Sequence, residues 1–386
     1  MKKFLKKITS YIPDGIICLI IVFGMFALIA SKMGTPKMIN TIMKTAHDLL
    51  LNTVFYLMAI CVITGAIGRL FVEFGVVKLL EKQLRPLMKP LFNLPGVASL
   101  GAVLTFLSDN PAIVPLARDK RFGQYFKKYQ FISLTNFGTG FGMGLIVFVF
   151  MFGQGYFVAP LVGLFGTVCG TIVSTRLMQR LVLKVRPHYA HEDAYEVKED
   201  IVVKEEGENR TPLFQRILDS LLDGGRTGVD IGLVIIPGVL IISTLVMILT
   251  SGPSASGEYT GAAYEGVKFL PWIGEKLGFI FEWLFGFTDP HLIAFPITAL
   301  GTVGAALSLI PNFIASGWID GNAIAVFTAI GICWGGFLST HSAMLEAFGY
   351  KNLTSKAILV HTIGGLVAAI IAHWTYALLS LVFTLS

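Results

Sequence analysis

Charged residues are scarce in this chain: they make up 14% of its 386 residues, against about 25% in an average soluble domain. Hydrophobic residues make up 54% of the chain, and apolar windows of roughly 20 residues, each long enough to cross a bilayer core, recur along it. No uninterrupted polar stretch is long enough to bury a core of its own. The composition therefore excludes a soluble protein and a singly anchored enzyme, and it predicts a polytopic membrane protein.

Cysteines and catalytic motifs are also few. The four cysteines lie inside apolar stretches and form no CxxC or Cys/His spacing, which argues against exposed disulfides and zinc sites. The sequence contains no HExxH, GxSxG or paired membrane Asp motif that would support hydrolysis. Its Gly-rich run 135–144 lacks the Lys-Ser/Thr of a phosphate-binding loop. We therefore expect no enzyme activity, no cofactor, no metal site and no nucleic-acid partner.

Seven apolar segments predict transmembrane helices at about 14–31, 52–75, 130–152, 157–179, 229–250, 321–340 and 357–384. Basic residues precede the first segment, as in a secretory signal, but no suitable pair of small residues closes the apolar run. We therefore interpret it as a retained span. A cleaved signal peptide is the alternative.

Two further apolar stretches, 91–117 and 291–316, are too irregular for ordinary spans. They contain closely spaced helix breakers and polar residues: Pro95, Gly96, Ser108, Asp109, Asn110, Pro111 and Pro115 in one, and Pro296, Gly301, Gly304, Ser308, Pro311 and Asn312 in the other. Hydrocarbon does not tolerate the backbone groups that such breakers free, unless the segment is buried in protein or lines a wet cavity. Each stretch is therefore predicted to be a re-entrant hairpin or a broken helix.

The distribution of Lys and Arg predicts the topology. If 91–117 returns to the side from which it came, 25 of the 30 basic residues lie on the cytoplasmic side, and only Lys32, Lys37, Lys44, Lys268 and Lys276 lie outside. The positive-inside rule favours this arrangement. It predicts a multi-pass protein of the bacterial plasma membrane (the cell inner membrane in a two-membrane bacterium), with a cytoplasmic N-terminus.

The two irregular stretches also match each other. At an offset of 200 positions, six of the twelve residues in 100–111 are identical to their counterparts in 300–311. Farther on, Phe131, Gly140 and Phe141 match residues 327, 336 and 337. Because the first half would enter the membrane from outside and the second from inside, we predict an inverted repeat. Many secondary transporters use that arrangement for alternating access. Chance similarity of two Gly-rich hairpins is the alternative.

This organisation divides the chain into four parts. Residues 1–50 hold the N-terminal helix and an external linker, 51–184 the first repeat, 185–212 an acidic cytoplasmic linker, and 213–386 the second repeat. Residues 78–90 and 213–226 mix Leu with charged residues and are predicted to be interfacial amphipathic helices. The acidic run is interpreted as a solvated connection. A functional role for it is the alternative.

The run LRPLMKPLFNLPG at 84–96, followed by SDNPA at 108–112, resembles the nucleoside recognition or Gate domain membrane proteins. That group includes spore maturation proteins and the gate modules of ferrous-iron transporters, and in outline it is similar to concentrative nucleoside transporters. The resemblance covers roughly 50–180 and 225–380. This chain has no GTPase domain, and Thr135-Asn-Phe-Gly-Thr139 replaces the acid-Phe signature expected in nucleoside transporters.

Polar residues in these stretches are the candidate site. Asp109 and Asn110 combine an ionisable group, an amide and a carbonyl freed by the following proline, and such a group at membrane depth usually faces a cavity. The other candidates are Asn136, Thr139, Thr302, Ser308, Asn312, Ser339 and His341. His341 is flanked by hydroxyl residues, and histidine is the residue type whose ordinary pKa lies near neutral pH, which suits proton transfer. The alternatives are a hairpin tip in the headgroups, helix packing and an interfacial histidine. His361 and His373 are interpreted as structural.

The function predicted from these features is secondary transport of a small polar solute, nucleoside-like as one hypothesis, by alternating access. Coupling to Na⁺ or H⁺ and homo-oligomerisation are further hypotheses. A non-transporting membrane scaffold or regulator of the spore-maturation type is the alternative function, although a scaffold would not need the polar groups in both hairpins.

Overall fold

The computed structural model describes residues 14–195 and 212–383, and the regular structure in these ranges is helical. Seven helices are long and apolar enough to cross a membrane: Asp14–Met33, Thr35–Glu73, Lys128–Gly153, Val158–Val185, Leu213–Thr250, Gly321–Ala347 and Lys351–Ser380. The prediction of an all-α, multi-pass membrane protein with seven spans is thereby confirmed.

The first two helices are α1 (Asp14–Met33) and α2 (Thr35–Glu73). α1 exposes much of its apolar surface, for example 67% of Phe23 and 73% of Leu28, as expected of a helix that contacts lipid. α2 begins well before residue 52, and its first turns, 35–48, occupy the segment predicted as an external linker. Pro36 in the first turn suits a helix start, and Met38, Thr41 and Thr45 form one buried stripe.

The first irregular stretch consists of short helices. α3 (Val76–Leu87) ends in a widened turn over Met88–Phe92, and it is followed by α4 (Ala98–Leu107) and α5 (Ile113–Arg118). A single 3₁₀ turn, Asn110–Ala112, stands between α4 and α5. The two helices fold against each other, because a Cβ atom on Gly101 of α4 would lie 2.5 Å from Ile113 Cδ1 of α5.

A short helical turn at Lys120–Gly123 and three longer helices complete the first half: α6 (Lys128–Thr139), α7 (Gly144–Gly153) and α8 (Val158–Val185). The chain beyond α8 returns to the start of α6, where Lys127 pairs with Asp193 at 2.7 Å and Lys128 with Glu192 at 2.5 Å. The hydrogen bond from Lys128 lowers the pKa of the Glu192 carboxyl. The rest of the predicted acidic linker, 196–211, lies outside the described residues.

The second half opens with α9 (Leu213–Thr250). Residues 213–226 were predicted to form a separate interfacial helix, and this is wrong: they are the first turns of α9. The reason is a stripe of small residues every four positions, Ser220, Gly224, Gly228 and Gly232, which is buried along the helix. Pro237 is accommodated without a break, and a widened turn follows it at Val239–Ser243.

The loop 251–268, which follows α9, is hydrogen-bonded to α2. The Glu265 carboxylate is 3% exposed and accepts hydrogen bonds from the backbone N–H groups of Thr260 and Gly261. Tyr264 donates its N–H to Thr45 Oγ1 at 2.9 Å and its hydroxyl to Asp48 Oδ2 at 2.6 Å. The segment 251–268 is therefore an ordered cover on the start of α2.

Eight helices follow this loop: α10 (Phe269–Lys276), α11 (Gly278–Phe285), α12 (Ala294–Gly301), α13 (Val303–Leu307), α14 (Ile310–Ala315), α15 (Gly321–Trp334), α16 (Phe337–Ala347) and α17 (Thr354–Ser380). The sequence reading missed α10 and α11. Trp272 and Trp283 on them are 54% and 66% exposed. Because exposed tryptophans favour membrane–water interfaces, they are a signal that would have indicated interfacial helices here.

Glycines bring the long helices into backbone contact. α2 crosses α9 so closely that a Cβ atom on Gly65 would lie 2.5 Å from Gly224 O, and one on Gly228 would lie 2.3 Å from Cys61 O. α8 packs on α17 in the same way, with the Cβ position of Gly170 2.3 Å from Gly364 O. Small residues at such spacing are typical of helix interfaces within membranes.

Candidate functional site

Two of the spanning helices are interrupted near their middle. α6 ends at Thr139 and α7 begins at Gly144, with Met143 in the left-handed conformation (φ 55°) between them. α15 ends at Trp334 and α16 begins at Phe337, and the Gly336 of that gap has a φ of 68°. We call the residues 140–143 the first break and the residues 335–336 the second break. Each frees backbone carbonyl groups inside a spanning segment.

Hydroxyl groups pair with some of the freed carbonyls. In the first break, Thr171 Oγ1 of α8 donates to Gly140 O at 3.1 Å. In the second break, Ser339 Oγ and Thr340 Oγ1 donate to Gly336 O at 3.0 Å and 3.1 Å. Ser339, a predicted site residue, is itself exposed and acts here as a local cap.

Asn110 joins the irregular stretch 91–117 to both breaks. Its Nδ2 donates to Gly335 O at 2.6 Å, across 225 positions of sequence. Gly142 of the first break lies against the same side chain, because a Cβ atom there would stand 1.3 Å from Asn110 Oδ1. The side chain is 1% exposed, and its Oδ1 has no hydrogen-bond partner among the described residues. An unpaired buried acceptor is costly, so this oxygen is suited to a donor supplied by a solute.

Asp109 stands at the start of the 3₁₀ turn that carries Asn110. Its Oδ1 accepts the backbone N–H of Asn110 at 2.7 Å, and its side chain is partly exposed. The carboxylate thus holds the turn in shape as an N-cap. One carboxylate oxygen remains available to a ligand.

The irregular stretch 291–316 approaches the second break at the point where its own helix is interrupted. Thr302 separates α12 from α13 with extended backbone, and Gly301 O lies 3.8 Å from the Cβ position of Gly336. Ser308 lies farther along the stretch, with its Oγ 2.9 Å from Ser243 Oγ in the widened turn of α9. Asn312 is half-buried on α14. The structure therefore brings Gly301 beside the second break. The Thr302 side chain lies against α9, with its Cγ2 2.5 Å from the Cβ position of Gly238, and Ser308 contacts the same helix.

Asn136 and His341 belong to a buried polar chain beside the breaks. Asn136 Nδ2 donates to Ser174 Oγ at 3.1 Å and to Ala357 O at 3.0 Å. Ser174 Oγ lies 3.0 Å from His361 Nδ1, and the His361 ring stands 4.6 Å from the His341 ring, centre to centre. Thr139 is not part of this chain, since its hydroxyl donates to Thr135 O within α6.

The polar chain contains residues that sequence reasoning did not select. Ser174 had not been singled out, and His361 was interpreted as structural. Both lie on helices whose glycines allow the close approach of α8 and α17, where a Cβ atom on Gly364 would lie 2.6 Å from Ser174 Cβ. A polar residue within such a small-residue stripe is the signal that would have indicated Ser174.

Several buried polar atoms near the breaks have no hydrogen-bond partner within the described part of the chain. They are Asn110 Oδ1, Thr135 Oγ1, Asn136 Oδ1, Thr175 Oγ1, Trp334 Nε1 and His341 Nε2. Buried polar groups in folded proteins are nearly always paired. This concentration of free donors and acceptors is consistent with a site that takes a polar ligand.

Comparisons with known proteins show a likeness of fold. No family model matches the chain, and no curated protein matches it. Solved structures of CNTnw, a concentrative nucleoside transporter, are similar. CNTnw in an outward-facing state aligns with a TM-score of 0.51 at 14% identity, over 83% of this chain and 75% of that one. CNTnw in an inward-facing substrate-bound state aligns with a TM-score of 0.49 at 14% identity, over 94% and 86%.

This likeness is limited to the fold. The chain is a multi-pass helical membrane protein with a fold of the concentrative nucleoside transporter type, and the structures it is similar to are transporters rather than enzymes.

Proposed function

We propose that this protein is a secondary transporter of a small polar solute, with the solute held where Asn110 meets the two breaks. The observation that carries the proposal is the position of the Asn110 amide, which binds the second break through Nδ2 and leaves a buried Oδ1 unpaired. The similarity of fold to CNTnw supports it. A nucleoside is the first solute class to test, because its base and ribose offer several donors and acceptors.

We further propose that the chain is an inverted repeat with two re-entrant hairpins, as the Gate-like pattern implies. The matching residues Gly140 and Gly336 support this, because each lies at the break of its own half. The widened turns Leu49–Val54 of α2 and Val239–Ser243 of α9 also occupy corresponding helices. Alternating access would then follow from movement of the breaks and hairpins relative to the α2–α9 pair.

A non-transporting scaffold would not need unpaired polar groups inside its helix packing. A scaffold gains nothing from buried side-chain amides and hydroxyls that remain unpaired beside interrupted helices, since each such group costs about 1–3 kcal/mol when buried. The unpaired atoms near the breaks therefore favour transport over a scaffold.

Uptake of radiolabelled uridine, adenosine and thymidine into proteoliposomes tests the proposal. The variant Asn110→Ala removes the amide at the junction, and we expect it to reduce uptake at least tenfold, as the loss of about 1.4 kcal/mol of binding would. The matched control is Asn322→Ala, because Asn322 is also an amide that donates to a backbone carbonyl (Phe285 O, 2.8 Å) but lies outside the junction.

Both variants should insert into the membrane like the wild type. Their free energy of unfolding should differ from that of the wild type by no more than the contribution of one hydrogen bond. Equal uptake by the Asn110→Ala and wild-type proteins would overturn the proposed site. Absence of uptake of any nucleoside, amino acid or other polar solute by the wild type would favour the scaffold.

A further inference from the structure

The rings of His341 and His361 form a pair at the centre of the helix packing. They are 0% and 1% exposed, and their centres are 4.6 Å apart. His341 stands on α16 one turn beyond the second break, and His361 stands on α17. No third His, Cys, Asp or Glu joins them in a metal-binding group within 14–195 and 212–383.

The hydrogen-bond partners determine which ring nitrogens carry hydrogen. His341 Nδ1 lies 2.9 Å from Phe337 O, and His361 Nε2 lies 2.6 Å from Cys333 O. Because a carbonyl oxygen only accepts, both of these nitrogens are N–H donors. The remaining lone pairs are those of His341 Nε2 and His361 Nδ1.

These two lone pairs are in different situations. His361 Nδ1 accepts from the Ser174 hydroxyl at 3.0 Å, and Ser174 is itself oriented by the donor Nδ2 of Asn136 at 3.1 Å. His341 Nε2 is buried and has no partner in the described ranges. A proton arriving at the pair therefore has one vacant position, Nε2 of His341.

Several other titratable groups on the elements around the pair have partners of their own. The Cys333 thiol of α15 lies 3.8 Å from Thr167 O. Four of the charged groups bind their own partners: Lys128 of α6 with Glu192, Arg176 of α8 with Leu91 O, Glu346 of α16 with Lys351, and Asp109 with the N–H of Asn110. His361 is thus the titratable group that faces His341.

We propose that the His341–His361 pair is a proton-binding site, which receives its proton at His341 Nε2 and couples transport to H⁺. In the packing described here, a proton at this nitrogen would be a buried charge without a counter-ion, which is strongly unfavourable. The closed packing therefore selects neutral His341. A conformation that admits water at the second break binds the proton. Proton binding and opening must then favour each other, because linkage between two equilibria is reciprocal.

The coupling role rests on the proposed transport function, whereas proton binding does not, and two experiments separate them. The first is a ¹⁵N NMR titration of [¹⁵N]histidine-labelled protein in nanodiscs, without solute, between about pH 8 and about pH 5, where histidine changes its charge. Each of the seven histidines has one hydrogen-free ring nitrogen when it is neutral. We therefore expect the wild-type spectrum to contain one protonation signal that the spectrum of His341→Gln lacks. His373→Gln is the control, because His373 lies outside the pair and its Nδ1 is hydrogen-bonded to Asn322 at 2.8 Å.

A Ser174→Ala variant tests the assignment of the vacant position to His341 Nε2. It frees the lone pair of His361 Nδ1, so that a second buried imidazole gains a vacant position and we expect a second titrating signal. If the His341 nitrogen stays hydrogen-free to the lowest pH at which the far-UV circular dichroism is unchanged, the proton-binding site is wrong.

The second experiment uses proteoliposomes that contain the pH dye pyranine, with uridine as the probe. Uridine addition should acidify the lumen with the wild type, and His341→Gln should lower the number of protons that enter per uridine molecule taken up, whatever its effect on the rate of uridine uptake. Wild-type counterflow without acidification overturns the coupling and leaves the transport proposal intact. Absence of wild-type counterflow counts against the transport proposal and the coupling role, while the NMR titration still decides whether the pair binds a proton.

Discussion

At the scale of single residues, the candidate site is assembled from side chains far apart in sequence. Asn110 was predicted as a site residue because it is polar and precedes a proline, and its bond to Gly335 O spans 225 positions. Ser174 and His361 are 187 positions apart, and neither was predicted to be functional. Hydropathy and helix breakers reveal which segments are unusual, whereas the pairing of two such residues depends on packing that one sequence does not display.

Asp109 offers a prediction at this scale, because its cap and its charge can be separated. Asp109→Asn keeps an oxygen that can accept the Asn110 N–H, so we expect wild-type stability and solute affinity with a loss of cation dependence if the carboxylate binds a coupling ion. Asp109→Ala removes the cap as well and should cost about 0.5–2 kcal/mol of stability. Thermal unfolding in detergent and ion-dependent uptake measure the two effects. Unchanged cation dependence in Asp109→Asn would remove the carboxylate from any coupling role.

At the scale of helices, the sequence predicted the number of spans better than their limits. Seven apolar stretches sufficed to locate seven helices. The polar side chains Asp219, Asp223 and Arg226 concealed the continuity of α9, because they alternate with the small residues that face α2. The break at 335–336 was not predicted, since two glycines following Trp334 resemble ordinary helix-packing residues.

The α2–α9 crossing gives a prediction about helix packing. Gly224→Leu places a side chain where the Cβ atom would already lie 2.3 Å from Gly65 O, so the helices must separate. We expect the melting temperature to fall, by an amount equivalent to at least 1–3 kcal/mol, which is roughly the cost of overpacking. Gly225→Leu is the control, because its Cβ position has a nearest neighbour at 3.6 Å, an ordinary contact. Equal melting temperatures for the two variants would contradict the close crossing.

At the scale of the whole molecule, the topology rests on the distribution of basic residues. In a cysteine-free background, Lys120→Cys and a cysteine at 190–195 should be shielded from an impermeant thiol reagent in intact cells, whereas Ser256→Cys should react. Labelling of permeabilised cells is the control that shows that each of the three cysteines can react. Lys120 and Ser256 are exposed in the structure. Labelling of Lys120→Cys from outside would contradict both the first hairpin and the inverted repeat.

The contact between α2 and α9 also bears on how the molecule can deform. Where two main chains touch without intervening side chains, no rotamer is free to absorb a displacement, and sliding of one helix along the other meets backbone atoms within a fraction of an ångström. The Glu73–Arg216 ion pair at 2.8 Å adds a second point of attachment near the ends of the same helices. We therefore expect α2 and α9 to move as one unit, and the interrupted helices to change position relative to that unit.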